Sequence, residues 1–235
     1  MLCCRHCGEG ESERIDIQTL LQLCGEQLCK EYKDDPDFCG WARMILGVGT
    51  EADALSHAPG TDGTMWEREE LRRILLEEMI QKIDETEINA VVIDVKDDNG
   101  RITFQMDQPL VEETGAVEAF IPDIQGLMDT LKEHNIYTIA RVVSFRDPYL
   151  AEKKPELALK LADGSLYRDK KGMAWVNPYK QEMWDYLVDV GIQAHQVGFD
   201  EIQFDYVRFC TEKGMQDAVF SEEDTKGRSR TEAIL

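Results

Sequence analysis

The chain has 235 residues, 43% of them hydrophobic, and a formal net charge of −21. Its length admits one large domain or two small ones, and the apolar fraction is enough for a sizeable core. The charge argues against nucleic acid or an anionic membrane as partner, because either would repel it over about a Debye length, ~8 Å at physiological salt.

The opening residues, "MLCCRHCGEGESERID", lack the apolar core of an export signal, and no run of about 18 apolar residues follows, so as written the chain is expected to stay in the cytoplasm. Six of the seven cysteines fall within the first 39 residues. Cys4 and Cys7 have the gap of a metal pair, and Cys24, Cys29, Cys39 or His6 would have to complete the four ligands of a zinc site. An odd cysteine count without an export signal reads more readily as reduced thiols, so neither a metal nor a cofactor is assigned. Leu20, Leu21, Leu23 and Leu28 suggest a short helix, "RMILGVG" (43–49) a strand, and "SHAPGTDGT" (56–64) a linker. Residues 1–65 are therefore set apart as a cysteine-rich segment with its linker, and 66–235 as a separate domain.

From Trp66 the pattern sharpens. Leu71, Ile74, Leu75, Met79 and Ile83 share a helical face, and "INAVVIDVK" (88–96) reads as a buried strand. "DVKDDNG" reads as a turn from which "RITFQ" returns as a short hairpin strand. It is no calcium loop, since Lys96 takes the third position and Asn99 the sixth. Period-two counting puts Asp94 and Lys96 on one face and Val91, Ile93 and Val95 on the other. An acid in an apolar strand needs a partner, and Lys96 or Arg141 could serve.

A second helix carries Ile121, Ile124, Leu127, Met128 and Leu131, with Pro122 in its first turn, and leads into the strand "IYTIARVVSF". The connection from Phe145 to Val176 is long for a strand-to-helix loop. In it "PELALKL" suggests a short helix and "ADGSLYRDKKGMAW" a hairpin. Its Tyr167 and Trp175 could stack on a sugar face or simply pack under the loop. A third helix is expected to start with Asn177 as cap and Pro178 at its first position. It would turn Met183, Trp184, Leu187, Val188 and Ile192 inward and end at Gly198. The strand "GFDEIQFDYVRF" follows, with Glu201, Gln203 and Asp205 alternating with Ile202, Phe204 and Tyr206. "SRTEAIL" places Ser229 three residues before Glu232, a capping box.

Three successive helix–strand pairs imply right-handed crossovers on a parallel sheet, either part of a barrel or a shorter open sheet. Such sheets place their sites at the carboxyl ends of the strands. Asp94, Lys96, Asp97 and Asp98 stand at the first end, Arg141, Ser144, Arg146 and Asp147 at the second, and Asp205, Tyr206 and Arg208 at the third. Glu201 and Asp205 share a face but lie about 13 Å apart along the strand. A glycosidase pair needs about 5 Å, or about 6.5–9.5 Å in inverting enzymes. Asp205, at the site end, is thus the catalytic candidate, and Glu201 is expected to lie deep as a structural acid.

The stretches "INAVVIDVKDDNGRITF", "IARVVSFRDPYLAEKKPELALK", "WVNPYKQEMWDY" and "GFDEIQFDYVRF" carry a resemblance: from about Leu71 onward the chain resembles the glycoside hydrolase family DUF4015. The resemblance implies an α/β fold, a (β/α) TIM-type barrel related to the amylase-like clans, incomplete here with three to four βα units. It implies a carbohydrate substrate and a strand-end aspartate, Asp205, in the nucleophile position. Asp94, Lys96, Arg141, Tyr167, Trp175, Tyr206 and Arg208 are then the substrate-binding candidates. The general acid is expected from the strand after the nucleophile, which would lie beyond Leu235. Two other readings stay open: a non-catalytic carbohydrate-binding or cell-envelope module, and an incomplete gene product. No partner besides carbohydrate is assigned.

Overall fold

The computed structural model describes Arg73 and residues 76–235. The cysteine-rich start, the helix and strand expected within it, and the linker lie outside the described residues. Two compact units divide the chain, one holding the described residues up to Val92 with Leu131–Tyr137, the other Ile93–Thr130 and Thr138–Leu235.

In the first unit a helix over 76–84 buries Met79, Ile80 and Ile83, as the spacing of Met79 and Ile83 predicts. Asp84 Oδ2 lies 2.7 Å from His134 Nδ1. Ala90, Val91, Val92, Leu131 and Ile136 are buried as well.

The strands are β1 (Ala90–Lys96), β2 (Tyr137–Val143), β3 (Lys160–Leu161), β4 (Glu201–Asp205) and β5 (Ala218–Val219). The helices are α1 (Pro109–Thr114), α2 (Ile124–Glu133), α3 (Pro148–Lys153), α4 (Gln181–Gln196), α5 (Glu222–Thr225) and α6 (Arg230–Ile234). The main sheet has the order β1-β2-β4, while β3 and β5 form a separate antiparallel ribbon. β4 runs parallel to β2, with Ile139 opposite Glu201 and Val143 opposite Asp205. With α2 between β1 and β2 and α4 between β2 and β4, this is a sheet of parallel crossover units that does not close among the described residues, an incomplete TIM barrel there.

Several local expectations are corrected. α2 begins at Ile124, not around Pro122, because the Asp123 side chain accepts the Gly126 N–H at 2.9 Å and its carbonyl accepts the Leu127 N–H, which makes Asp123 the entry residue. α4 begins at Gln181, not Pro178: Asn177 Oδ1 accepts the Tyr179 N–H and the Asn177 carbonyl accepts the Lys180 N–H, closing a turn ahead of the helix. Its buried face is Met183, Tyr186, Leu187, Val190, Gly191 and Ala194, whereas Val188 and Ile192 are 52% and 48% exposed. The rotation follows from the small residues: a Cβ on Gly191 would stand 3.2 Å from Phe204 and 3.5 Å from Ile202, so this face approaches β4 closely. The return after "DVKDDNG" is a single antiparallel bridge, Lys96 to Ile102, rather than a strand. "PELALKL" forms a 3-10 turn at Pro155–Leu157 and then β3 at Lys160–Leu161, not a helix. The hairpin of the long insertion does form, through the bridges Lys160–Leu166 and Arg168–Ala174.

Glu201 and Gln203 are exposed, against the expectation of a deep Glu201, because β4 pairs on one side only among the described residues. α6 opens with the capping box read from "SRTE": the Ser229 side chain accepts the Glu232 N–H and Glu232 accepts the Ser229 N–H. No helix among the described residues is long and apolar enough to cross a membrane.

Candidate active site

The parallel register brings three strand ends to one side of the sheet, and one guanidinium ties them together. Arg141, in the middle of β2, donates from Nη1 to Asp94 of β1 at 2.9 Å and from Nε and Nη2 to Asp205 of β4 at 3.0 and 2.7 Å. Its Nη1 and Nη2 also reach Asp98 Oδ2, at 3.2 and 3.3 Å. Burial by itself would lower the Arg141 pKa, but the hydrogen bonds to Asp94 and Asp205 and the charges of Asp94 and Asp98 outweigh it and hold the group above its ordinary value. The partner expected for Asp94 is therefore Arg141, and Lys96 is elsewhere.

Asp205 is fixed from both sides. Its Oδ2 accepts the two bonds from Arg141, and its Oδ1 accepts the Tyr206 N–H at 2.7 Å. Tyr206 itself takes a left-handed backbone, φ 53°, at the point where the strand ends. The Asp205 side chain still keeps 38% of its surface exposed, so the carboxylate is both oriented and reachable.

Around Tyr206 the site is built of cations and rings. Arg146 donates from Nη1 to Asp98 Oδ1 at 2.8 Å and to the Tyr206 hydroxyl at 3.2 Å, and its guanidinium lies 5.2 Å from the Tyr206 ring centroid. Arg208 lies 5.3 Å from the centroids of both Tyr206 and Trp175, and these two rings meet edge to face at 5.8 Å. Trp175 is itself buried, and its indole N–H donates to Asp169 Oδ2 at 3.1 Å. Burial alone would raise the Asp169 pKa, but the N–H groups of Met173 and Lys171, the Trp175 indole and the Arg146 charge hold it below the ordinary aspartate value.

Lys96 and Tyr167 sit apart from this open cluster. Lys96 has no exposed side-chain surface; its Nζ donates to the Val143 carbonyl at 2.7 Å and pairs with Asp147 at 2.8 Å, where Asp147 is equally enclosed. Burial pushes the Asp147 carboxyl up, against the pull of Lys96. Tyr167 is buried, with its hydroxyl 3.2 Å from Cys210 Sγ, and burial together with that thiol pushes its phenol up. Sequence reasoning set Asp98 and Arg146 at strand ends without giving them a role, and it passed over Asp169 entirely. The available signal for Asp169 was "DKKG", an aspartate three residues before a glycine, which marks a turn but not what the turn will touch. Among the described residues no group of three or more His, Cys, Asp or Glu side chains is arranged to hold a metal ion.

The profile of the DUF4015 family, described as "Putative glycosyl hydrolase domain", matches residues 64–235. A hypothetical protein from Ruminiclostridium thermocellum is 37% identical, with 69% of this chain and 81% of that one covered and a TM-score of 0.63. An α-galactosidase from Lactobacillus brevis is 16% identical, with 68% of this chain and 21% of that one covered and a TM-score of 0.47. A maltogenic α-amylase from Thermotoga neapolitana is 16% identical, with 58% and 35% covered and a TM-score of 0.42. This chain thus spans about a fifth and about a third of those two enzymes. A search of curated proteins returned no significant match.

Proposed function

This chain belongs to the DUF4015 family, and from that premise we propose that it acts on a carbohydrate as a glycoside hydrolase with Asp205 as nucleophile or charge stabiliser. The observation that carries the reading is the fixing of Asp205 at the carboxyl end of β4 by Arg141 and the Tyr206 N–H, with its outer surface open. A sugar losing its leaving group develops positive charge at the anomeric centre. A carboxylate already oriented there stabilises that charge without reorganising. Asp94, on the same guanidinium, positions sugar hydroxyls, and Tyr206 and Arg208 line the approach. Trp175 supports Tyr206 edge-on, while Lys96 and Tyr167 act on the frame rather than on substrate.

Aryl glycosides with activated leaving groups isolate the contribution of Asp205, because such groups depart without being protonated. Asp205→Ala is expected to lower their turnover by about 10²-fold or more, and unchanged turnover removes Asp205 from the mechanism. Both oxygens of Asp205 already accept hydrogen bonds, which favours a second reading, a non-catalytic carbohydrate-binding module. Glycan binding by calorimetry, with no turnover of any activated glycoside, would select it.

A further inference from the structure

A second opening lies beside the charged cluster, on the same side of the sheet, between the loop after β1 and the start of α3. Its volume is about 470 Å³, within the ~300–1,000 Å³ typical of small-molecule clefts. One turn separates it from Asp205's neighbours: Asp98 faces Arg141 and Arg146, while the residues on either side, Asp97 and Asn99, line the opening.

The charged groups of this cleft already have hydrogen-bond partners. Arg101 pairs with Glu118 at 3.2 Å and donates to the Val117 carbonyl at 3.1 Å. Glu152 accepts from Arg168 at 2.9 Å. Asp97 accepts the N–H groups of Asn99 and Arg101 on one oxygen and the Asn99 amide on the other. Every charged side chain of the lining is thus already hydrogen-bonded, Asp97 by neutral N–H groups alone, and the carboxylate and amide oxygens keep lone pairs for hydroxyl donors. The aromatic side is divided as well. Tyr149 has the Arg101 guanidinium 4.1 Å above its ring, and its hydroxyl lies 2.8 Å from the Thr114 carbonyl. Phe120 is instead 51% exposed at the rim. An uncovered ring beside oxygens able to accept from hydroxyls fits a neutral ligand with one apolar face and several hydroxyls.

We propose that this cleft is an accessory sugar subsite, with Phe120 as the stacking platform, which holds a further ring of a substrate chain crossing the Asp97–Gly100 turn from Asp205. The inference rests on the carbohydrate reading above and extends it from a single sugar to an oligosaccharide.

The test uses the 235-residue chain, titrated in a calorimeter with cello-, malto-, isomalto-, laminari- and chitopentaose up to about 10 mM, a range that detects millimolar binding. The expected result is that at least one pentaose binds, that Phe120→Ala weakens it at least tenfold, and that Phe120→Trp, which keeps a ring, restores it. Equal binding by wild type and Phe120→Ala overturns the subsite while leaving the Asp205 reading intact. Loss in Phe120→Trp as severe as in Phe120→Ala also overturns it, since the effect then lies in local packing. Binding of no pentaose by the wild type overturns both the subsite and the carbohydrate reading it rests on.

Discussion

Lys96 and Asp147 put opposite charges where neither has exposed surface, so each depends on the other. Lys96→Met would leave a buried carboxylate without its counter-charge, at a cost of about 3–5 kcal/mol measurable by urea denaturation. Burial already raises the Asp147 pKa, so its ionised form is less favourable folded than unfolded. Without Lys96 the contribution of Asp147 to stability should therefore be fully present below the unfolded aspartate value, about 3.9, and be lost as pH rises through the raised folded value. Asp169 has the opposite sign. Its folded value is lowered, so its contribution is present above about pH 3.9 and lost as pH falls through the lower folded value. Acid titration should change Trp175 fluorescence in that window, and Asp169→Asn should flatten this limb of the stability curve.

At the scale of elements, the turn after β1 shows how closely the site is backed by its support. Gly100 has φ 84°, and a Cβ there would stand 2.0 Å from Asp147 Oδ1. Gly100→Ala would cost about 1–3 kcal/mol from the backbone conformation alone. The clash would add to that and disturb the Lys96–Asp147 pair, so a lower denaturation midpoint is expected. The glycine itself was legible as a turn signal, but its proximity to a residue 47 positions away was not. The same contrast runs through the chain. β1 was legible because a nearly unbroken apolar run, "AVVIDV", declares a buried strand whatever its neighbours, and β2 and β4 because their residues alternate with a period of two. The buried face of α4 was not, because Val188 and Ile192 are as apolar as Val190, and only the fit of Gly191 against Phe204 and Ile202 decides which stripe turns inward. In the site, the placement of Asp94, Arg141 and Asp205 toward the carboxyl ends of the strands followed from the strand assignments. That one arginine would gather them, and that Lys96 would turn to Asp147, depended on register across strands.

For the molecule as a whole, a net charge of −21 on 235 residues means that folding gathers like charges against their repulsion. Screening should relieve this. Raising sodium chloride to about 0.5 M, where the Debye length falls to about 4 Å, is expected to raise the thermal midpoint. A midpoint that falls with salt would show that attractive pairs such as Arg141 with its three aspartates outweigh the repulsion.

Tyr206 places an unusual filter on sequence change. Its left-handed backbone favours glycine, asparagine, aspartate or histidine, while Arg146 and Arg208 both lie over its ring and Arg146 bonds its hydroxyl. Of the residues that suit the backbone only histidine carries a ring, and it lacks the phenol hydroxyl; β-branched residues suit neither. Position 206 therefore accepts few substitutes, because one residue has to combine a left-handed backbone with a ring that meets two arginines and a hydroxyl that Arg146 reaches.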